Sequence, residues 1–291
     1  MLKLVIPKGS LEAPTLKLLE DADLPFKRAS ERAYRGAIED PRVDSVAMLR
    51  PQEIPTYVEE GFFDLGITGE DWITETGADV VKVTHLAYSK QTERPVRLVL
   101  AVPADAGLSS PKDLRPEARI STEFPNIARR YFEALGIPVR IFLSYGATEA
   151  KVPEIVDAIV DLTETGSTLR RNGMEILDVL LESRTHLIAN VAAFANEPKR
   201  RAIEELTILL RGAIDARGRV LVKLNVDDER LSAVAGILPA MRAPTVSELA
   251  ETGYFAVETV VDKSAINTLI PRLKAAGAED ILELPITKIV P

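Results

Sequence analysis

Residues 156–171 read V-D-A-I-V-D-L-T-E-T-G-S-T-L-R-R. Val156, Ile159, Val160 and Leu162 are apolar and mostly β-branched, the composition of a buried strand. Asp157 and Asp161 sit among them, and Thr165, Gly166, Ser167 and Thr168 follow as a small-residue turn. A helical segment is expected from Leu169 onward. A strand, a turn bearing hydroxyls and glycine, and a helix start together have the physical character of a phosphate site. Gly166 lets the backbone approach an anion closely. The unpaired N–H groups and positive dipole end of the helix face that anion, and the hydroxyls add donors. Asp161 would repel a phosphate, so its chemistry suits an acceptor for sugar hydroxyls or a partner for a phosphate-bound Mg²⁺. The same spacing also fits an ordinary strand-to-helix connection with Thr or Ser as N-cap. Against that stands the cost of a carboxylate at the end of an apolar strand.

The surrounding 291 residues set the bounds of this reading. Such a length predicts about two domains, or three if one is small. Hydrophobic residues at 46% are enough for real cores, and the net charge of −8 argues against a nucleic-acid backbone or an anionic membrane as partner. The absence of cysteine excludes disulfides, a thiolate nucleophile and Cys-ligated zinc or iron–sulfur clusters. His85 and His186 lie far apart in sequence, which speaks against a His-rich metal site. The N-terminal M-L-K-L-V-I-P-K-G starts as a strand, without the pattern of a secretion leader, and no apolar run approaches a membrane span. A cytoplasmic protein is expected.

Strand and helix patterns alternate through the first part of the chain. Residues 2–6, 45–49 and 63–68 read as strands, with helices at 11–22 and 54–60, the order of a mostly parallel sheet. Lys8, between the first strand and first helix, places a cation at a helix N-terminus, where a bound anion would offset it; Arg50 and Asp71 fall just beyond strand C-terminal ends, the edge where open α/β sheets bind ligands. A second α/β unit is expected from strands at 96–102, 118–122 and 139–143 together with the opening stretch. It reads as an insertion, with the chain returning through a strand at 186–190 and a long helix at 198–217. From Arg219 the order becomes βαββαβ, that of a ferredoxin-like module, with few acid–base or nucleophilic groups in its loops.

The acidic residues before Thr-Gly-x-Thr resemble the phosphoribosyl-pyrophosphate (PRPP) loop of phosphoribosyltransferases. The whole chain is similar to the long form of the ATP phosphoribosyltransferase family. The markers are V-I-P-K-G-S-L (5–11), L-R-P-Q-E-I-P (49–55), D-L-G-I-T-G-E-D-W (64–72), R-L-V-L-A-V-P (97–103), S-T-E-F-P-N (121–126), G-A-T-E (146–149), the stretch 157–169, and A-P-T-V-S-E-L-A (243–250). Three departures stand out: Lys8-Gly9-Ser10 where many relatives carry Lys-Gly-Arg, Gly146-Ala147-Thr148-Glu149 where Gly-Ala-Val-Glu is usual, and Ala243-Pro244-Thr245 in place of Ser-Pro-Thr.

The resemblance implies a two-lobed, periplasmic-binding-protein-like α/β catalytic region and a C-terminal ferredoxin-like (ACT-like) regulatory module. The expected boundaries are 1–94 with 185–210 for the first lobe, 95–184 for the second, and 211–291 for the module. It implies attack of adenine N1 of ATP on C1 of PRPP, release of pyrophosphate, and Mg²⁺ as cofactor. This is the first step of histidine biosynthesis, feedback-inhibited by L-histidine in a homohexamer. Thr165, Gly166, Ser167, Thr168 and Leu169 are expected on the 5-phosphate of PRPP, and Asp161 on its ribose hydroxyls. Glu149 is expected near the same ribose, or with Asp161 at the metal. Lys8 and Arg50 would offset pyrophosphate or ATP phosphates, and Asp71 would lie near the nucleotide. By position in the family pattern, Asn225, Met241 and Thr245 would line the histidine site. A two-lobed solute-binding protein and a phosphoribosyltransferase for another base are the competing readings.

Overall fold

Three sheets carry the chain in the computed structural model, which describes residues 1–88, 95–239, 243–250 and 253–291. The first part runs β1 (Leu2–Pro7), α1 (Glu12–Asp21), β2 (Phe26–Lys27), β3 (Arg35–Ile38), β4 (Val43–Leu49), α2 (Ile54–Glu59), β5 (Leu65–Gly69), α3 (Glu70–Thr76) and β6 (Val80–His85). The second runs β7 (Val96–Pro103), β8 (Ala118–Thr122), α4 (Pro125–Leu135), β9 (Val139–Leu143), β10 (Ala158–Thr163), α5 (Ser167–Arg171) and β11 (Met174–Ser183). The chain goes on through β12 (Thr185–Asn190), α6 (Val191–Ala195) and α7 (Glu197–Ala216). It ends with β13 (Arg219–Asp227), α8 (Asp228–Ile237), β14 (Thr245–Glu248), β15 (Tyr254–Asp262), α9 (Ile266–Ala275) and β16 (Glu279–Pro285).

The seven-stranded sheet has the order β2-β3-β4-β1-β5-β12-β6. β1 pairs in parallel with β4 and β5, because each return crosses over through intervening chain that includes a helix. β12 comes back after the second sheet and lies antiparallel between β5 and β6. The five-stranded sheet has the order β11-β7-β10-β8-β9, with β10, β8 and β9 parallel and β7 antiparallel to its neighbours β10 and β11. β10 has partners on both edges and apolar packing on both faces. Ala158 and Val160 join Leu98, Leu100, Ile120 and Phe132 on one side. Ile159 joins Val99, Ala101, Leu169 and Met174 on the other. Residues 1–20 and 24–207 form one compact unit, and residues 21–23 and 208–291 another.

The structure departs from the sequence reading after the turn. The helix expected from Leu169 onward is the single turn α5, stopped at Asn172 and Gly173, where Gly173 takes a left-handed φ of 69°. The chain then enters β11, an edge strand with two register shifts. Those shifts break the period-2 alternation that would have marked it. β2, β3 and β6 likewise went unread. The first two are short edge pieces, and β6 is half-buried along most of its length, with no fully buried residue.

A buried carboxylate joins the two lobes. Glu75, at the end of α3, is 6% exposed. It accepts the backbone N–H of Asn126 at 2.8 Å and of Ile127 at 2.9 Å in the first turn of α4. A negative group on unpaired helix N–H groups is favourable through both hydrogen bonds and the helix dipole. Beside it Trp72 packs on Phe124 with ring centroids 4.4 Å apart.

The C-terminal sheet has the order β14-β15-β13-β16, antiparallel throughout, the arrangement of a ferredoxin-like βαββαβ module. β13 alternates strictly. Val220, Val222, Leu224 and Val226 enter a core with Val234 of α8 and Leu269 and Leu273 of α9.

Glu75→Ala leaves two buried N–H groups without an acceptor, and is expected to cost about 2–4 kcal/mol in chemical denaturation. Glu75→Gln, which keeps an acceptor oxygen, should cost clearly less. Equal stability of Glu75→Ala and the parent would refute this account of the junction.

Candidate active site

Parallel pairing brings three strand ends to one edge. In register, Pro7 of β1 lies opposite Leu49 of β4, so Lys8 and Arg50 leave the sheet side by side, and the Lys8 N–H donates to Leu49 O at 2.7 Å. The Lys8 ammonium lies 4.1 Å from the ring centroid of Tyr34, a cation–π contact. Arg50 is exposed. Asp71, two residues beyond β5, is 5% exposed. Its Oδ1 accepts the Trp72 N–H at 2.9 Å, and the Ser183 hydroxyl accepts the Asp71 N–H at 3.1 Å. Gly69 makes room for this carboxylate: a Cβ there would meet Asp71 Oδ1 at 1.9 Å. Burial pushes the Asp71 carboxyl above its ordinary pKa.

A cavity of about 310 Å³ opens between the lobes. Asp71 lines it with Ser10, Pro51, Trp72, Glu164 and Arg184. Of the residues expected from sequence, Asp71 alone is among its lining. Lys8, Arg50, Asp161 and the 165–169 turn contribute sequence neighbours instead.

Asp161 faces a different group. On β10 it shares a side with Ile159 and Thr163, toward the loop 146–149 and Glu123. Its Oδ1 accepts the Leu162 N–H at 2.7 Å. Burial pushes its pKa up to about 6, assisted by the charges of Glu149 and Glu123, while the Thr148 side chain favours the ionised form. Asp157, four residues earlier, provides the contrast. Arg115 and Arg119 both donate to it at 2.8–3.0 Å and hold its carboxyl well below the usual range. Asp157 is therefore a structural tie at the start of β10, whereas Asp161 has no guanidinium partner among the described residues.

In the turn, Gly166 takes a left-handed φ of 72° and its N–H donates to Thr163 Oγ1 at 2.9 Å. Thr165 Oγ1 donates to Ser167 Oγ at 3.0 Å. Thr168 is exposed. Leu169 is 5% exposed and packed in the core, so only its backbone N–H is left for an anion. Glu123 escaped the sequence reading as a site residue. It follows β8, which is parallel to β10, so the strand-end rule that found Arg50 and Asp71 would also have found it.

The histidines, distant in sequence, face each other across β12 and β6. His186 Nε2 lies 3.1 Å from Glu70 Oε2, and burial lowers its pKa. Among the described residues no group of three His, Cys, Asp or Glu side chains could hold a metal ion, and no helix is long and apolar enough to cross a membrane.

Comparison with known proteins decides among the readings. Residues 50–212 match the family described as "ATP phosphoribosyltransferase", and residues 216–288 match "HisG, C-terminal domain". The chain belongs to the ATP phosphoribosyltransferase family. It is 49% identical to the ATP phosphoribosyltransferase of Desulforudis audaxviator over 290 residues, covering 100% of this chain and 99% of that one. It is 47% identical to that of Chlorobium phaeobacteroides, covering 100% and 98%. In structure it resembles a chain of the "ATP phosphoribosyl transferase (HisG:HisZ) complex" of Thermotoga maritima at a TM-score of 0.61 and 33% identity, covering 72% of this chain and 99% of that one.

The transferase is thus a long-form enzyme of histidine biosynthesis with its C-terminal module. In that module Asn225 lies within β13, on the face turned away from the helices, and its Nδ2 donates to Asp280 Oδ2 at 2.9 Å. Thr245 opens β14 opposite Glu258, which pairs with Lys223 at 2.6 Å on the same face. The cap of α8 is Asp227, whose side chain accepts the Arg230 N–H. Met241 lies outside the described residues.

The raised Asp161 pKa has a consequence for stability. Ionised Asp161 disfavours the folded state fully above about pH 6, and the cost vanishes below the unfolded value near 4. Asp161→Asn, which keeps an acceptor for the Leu162 N–H, is therefore expected to stabilise the substrate- and metal-free enzyme by about 2–3 kcal/mol at pH 7.5. The gain should shrink as pH falls through 6 toward 4. Calorimetry across that range checks it; a pH-independent effect would contradict the assignment.

Proposed function

We propose that the transferase joins N1 of the adenine of ATP to C1 of the ribose of PRPP, with loss of pyrophosphate, and that L-histidine inhibits it. The observation that carries the catalytic half is Asp161: a carboxylate with no cationic partner among the described residues, at the end of a buried strand, four residues before the Thr165–Thr168 turn. The bond from C1 to the pyrophosphate oxygen breaks as the bond from N1 forms. Positive charge builds on the sugar ring and negative charge on the leaving group. Catalysis of such a step rests on positioning and electrostatics. Asp161 accepts from the ribose hydroxyls, with Glu149 beside it. The turn 165–168 and the Leu169 N–H hold the 5-phosphate. Lys8 and Arg50 offset pyrophosphate or ATP phosphates, and Asp71 stands at the nucleotide. No strong base is required, since N1 already carries the attacking lone pair.

The donor set suits Mg²⁺. Asp161 and Glu149 offer hard oxygen ligands, and Mg²⁺ is commonly held by one or two carboxylates together with substrate phosphates and water. When bound, the ion neutralises charge on the pyrophosphate. An all-protein cage is neither needed nor found among the described residues.

The regulatory half rests on the module 211–291. The catalytic candidates all precede residue 172, while Asn225 and Thr245 present polar groups on the face of the sheet away from the helices. With Met241 they would line the histidine site. A cytoplasmic homohexamer is the assembly this reading carries with it.

With Mg²⁺ and PRPP, pyrophosphate release is expected with ATP and not with guanine, hypoxanthine or uracil. Asp161→Ala and Thr168→Ala should each weaken PRPP binding about tenfold or more by calorimetry. Unchanged affinity in both would remove the PRPP assignment. Millimolar L-histidine should inhibit the full-length enzyme, and Asn225→Ala should weaken that inhibition. Light scattering that gives a monomer mass with and without ligands would refute the hexamer.

A further inference from the structure

Helix α3 is held to the second lobe at both of its ends. At its start, the Glu70 N–H donates to Arg184 O at 2.9 Å and the Asp71 N–H donates to Ser183 Oγ at 3.1 Å. Ser183 closes β11 of the five-stranded sheet, and Arg184 stands between it and β12 of the seven-stranded sheet. This end therefore sits where the chain crosses from lobe to lobe. At the far end, Glu75 accepts the Asn126 and Ile127 N–H groups. The Asn126 amide also donates to Glu75 O at 3.1 Å, and Arg130 donates to Thr74 O at 2.7 Å. Between the two ends the Trp72 ring lies on Phe124 and packs against the core of the second lobe, with Leu98, Ile120 and Phe132.

Two lobes joined at one point can rotate about their crossing; two lobes joined at two separated points cannot. At the rise of an α-helix, Glu70 and Glu75 are about 7.5 Å apart along the axis, so a rotation of about 15° about the crossing would carry the Glu75 end about 2 Å and part both of its N–H bonds. Bonds from N–H groups to an ionised carboxylate are the strong kind, and this carboxylate is buried. Asp71 and Trp72, on the same helix, line the cavity between the lobes, so their place opposite the second lobe is set by the Glu75 end. We propose that Glu75 is a positioning residue: it latches the lobes at one separation and keeps the cleft at the width that PRPP and ATP require, without touching either. This inference rests on the reading that the cavity takes these substrates. Without the latch the lobes sample wider arrangements, and apparent affinity falls in proportion to the fraction still at the binding separation. Saturating substrates draw the lobes back, so turnover is kept.

Trp72 is the only tryptophan in the sequence, so its emission reports on the junction alone. The test compares the full-length parent with Glu75→Ala, Glu75→Gln and Asp71→Asn, each below its own thermal transition. It measures steady-state kinetics, and acrylamide quenching of Trp72 emission in the absence of substrates. Glu75→Ala should raise KM for PRPP and for ATP about three- to tenfold, leave kcat within about twofold, and raise the quenching constant about twofold. Glu75→Gln, which keeps one acceptor oxygen, should fall between it and the parent. Parental KM values and parental quenching in Glu75→Ala would overturn the latch. A lowered kcat at unchanged KM would overturn the positioning role, since the loss would then lie in the chemical step. Raised quenching with parental KM values would overturn that role alone if Asp71→Asn is impaired. If Asp71→Asn is silent as well, the cavity is not the substrate site, and that reading falls with the positioning role.

Discussion

Strand β10 is buried on both faces and paired on both edges, and this constraint shapes the catalytic unit. Ala158, Ile159 and Val160 have no exposure at all, so polar side chains can appear only where the strand enters and leaves the sheet. The sequence puts an aspartate at each of those places. At the entry, two guanidinium groups neutralise Asp157 and turn it into a tie between the loops before β8 and β10. At the exit, Asp161 meets other carboxylates and a hydroxyl instead. Two identical side chains four residues apart are thus driven in opposite directions by what surrounds them.

The same economy recurs around the cleft. Asp71, Glu75 and Asp161 are carboxylates at or near the lobe junction, and each takes backbone N–H groups as hydrogen-bond donors. Glu75 uses the start of α4 and thereby fastens one lobe to the other. Asp71 curls back on its own helix start, which is why position 69 must be glycine. The cations Lys8 and Arg50 stand side by side at the ends of β1 and β4. Among the described residues no cation faces Asp161, and the cost of its burial as a carboxylate is borne by the stability of the folded chain.

The C-terminal module obeys a simpler rule. A four-stranded sheet with two helices on one side needs apolar residues at alternate positions only, and β13 supplies them strictly. The other face is therefore released from packing and carries Lys223, Asn225 and Glu258 in hydrogen bonds and ion pairs. A sheet face of this kind is free to carry recognition rather than folding.

Much of this was legible in the order of residues. Period-2 and apolar runs gave most central strands, the βαββαβ order gave the module, and strand-end position gave Arg50 and Asp71. The V-D-A-I-V-D-L-T-E-T-G-S-T-L stretch located the polar edge, because local pattern alone requires a turn there. Tertiary structure decided the rest, since it turns on distance between remote segments. β11 was lost to bulges that only its neighbour β7 makes sense of. Glu75 reads as one more helix carboxylate until α4 is placed against it. The pairing of His85 with His186 depends on β12 returning beside β6. Above all, the sequence gives no reason to separate Asp157 from Asp161: a side chain's charge is written in its chemistry, but its electrostatic partners, Arg115 and Arg119 in one case and Thr148, Glu149 and Glu123 in the other, are chosen only when the chain folds.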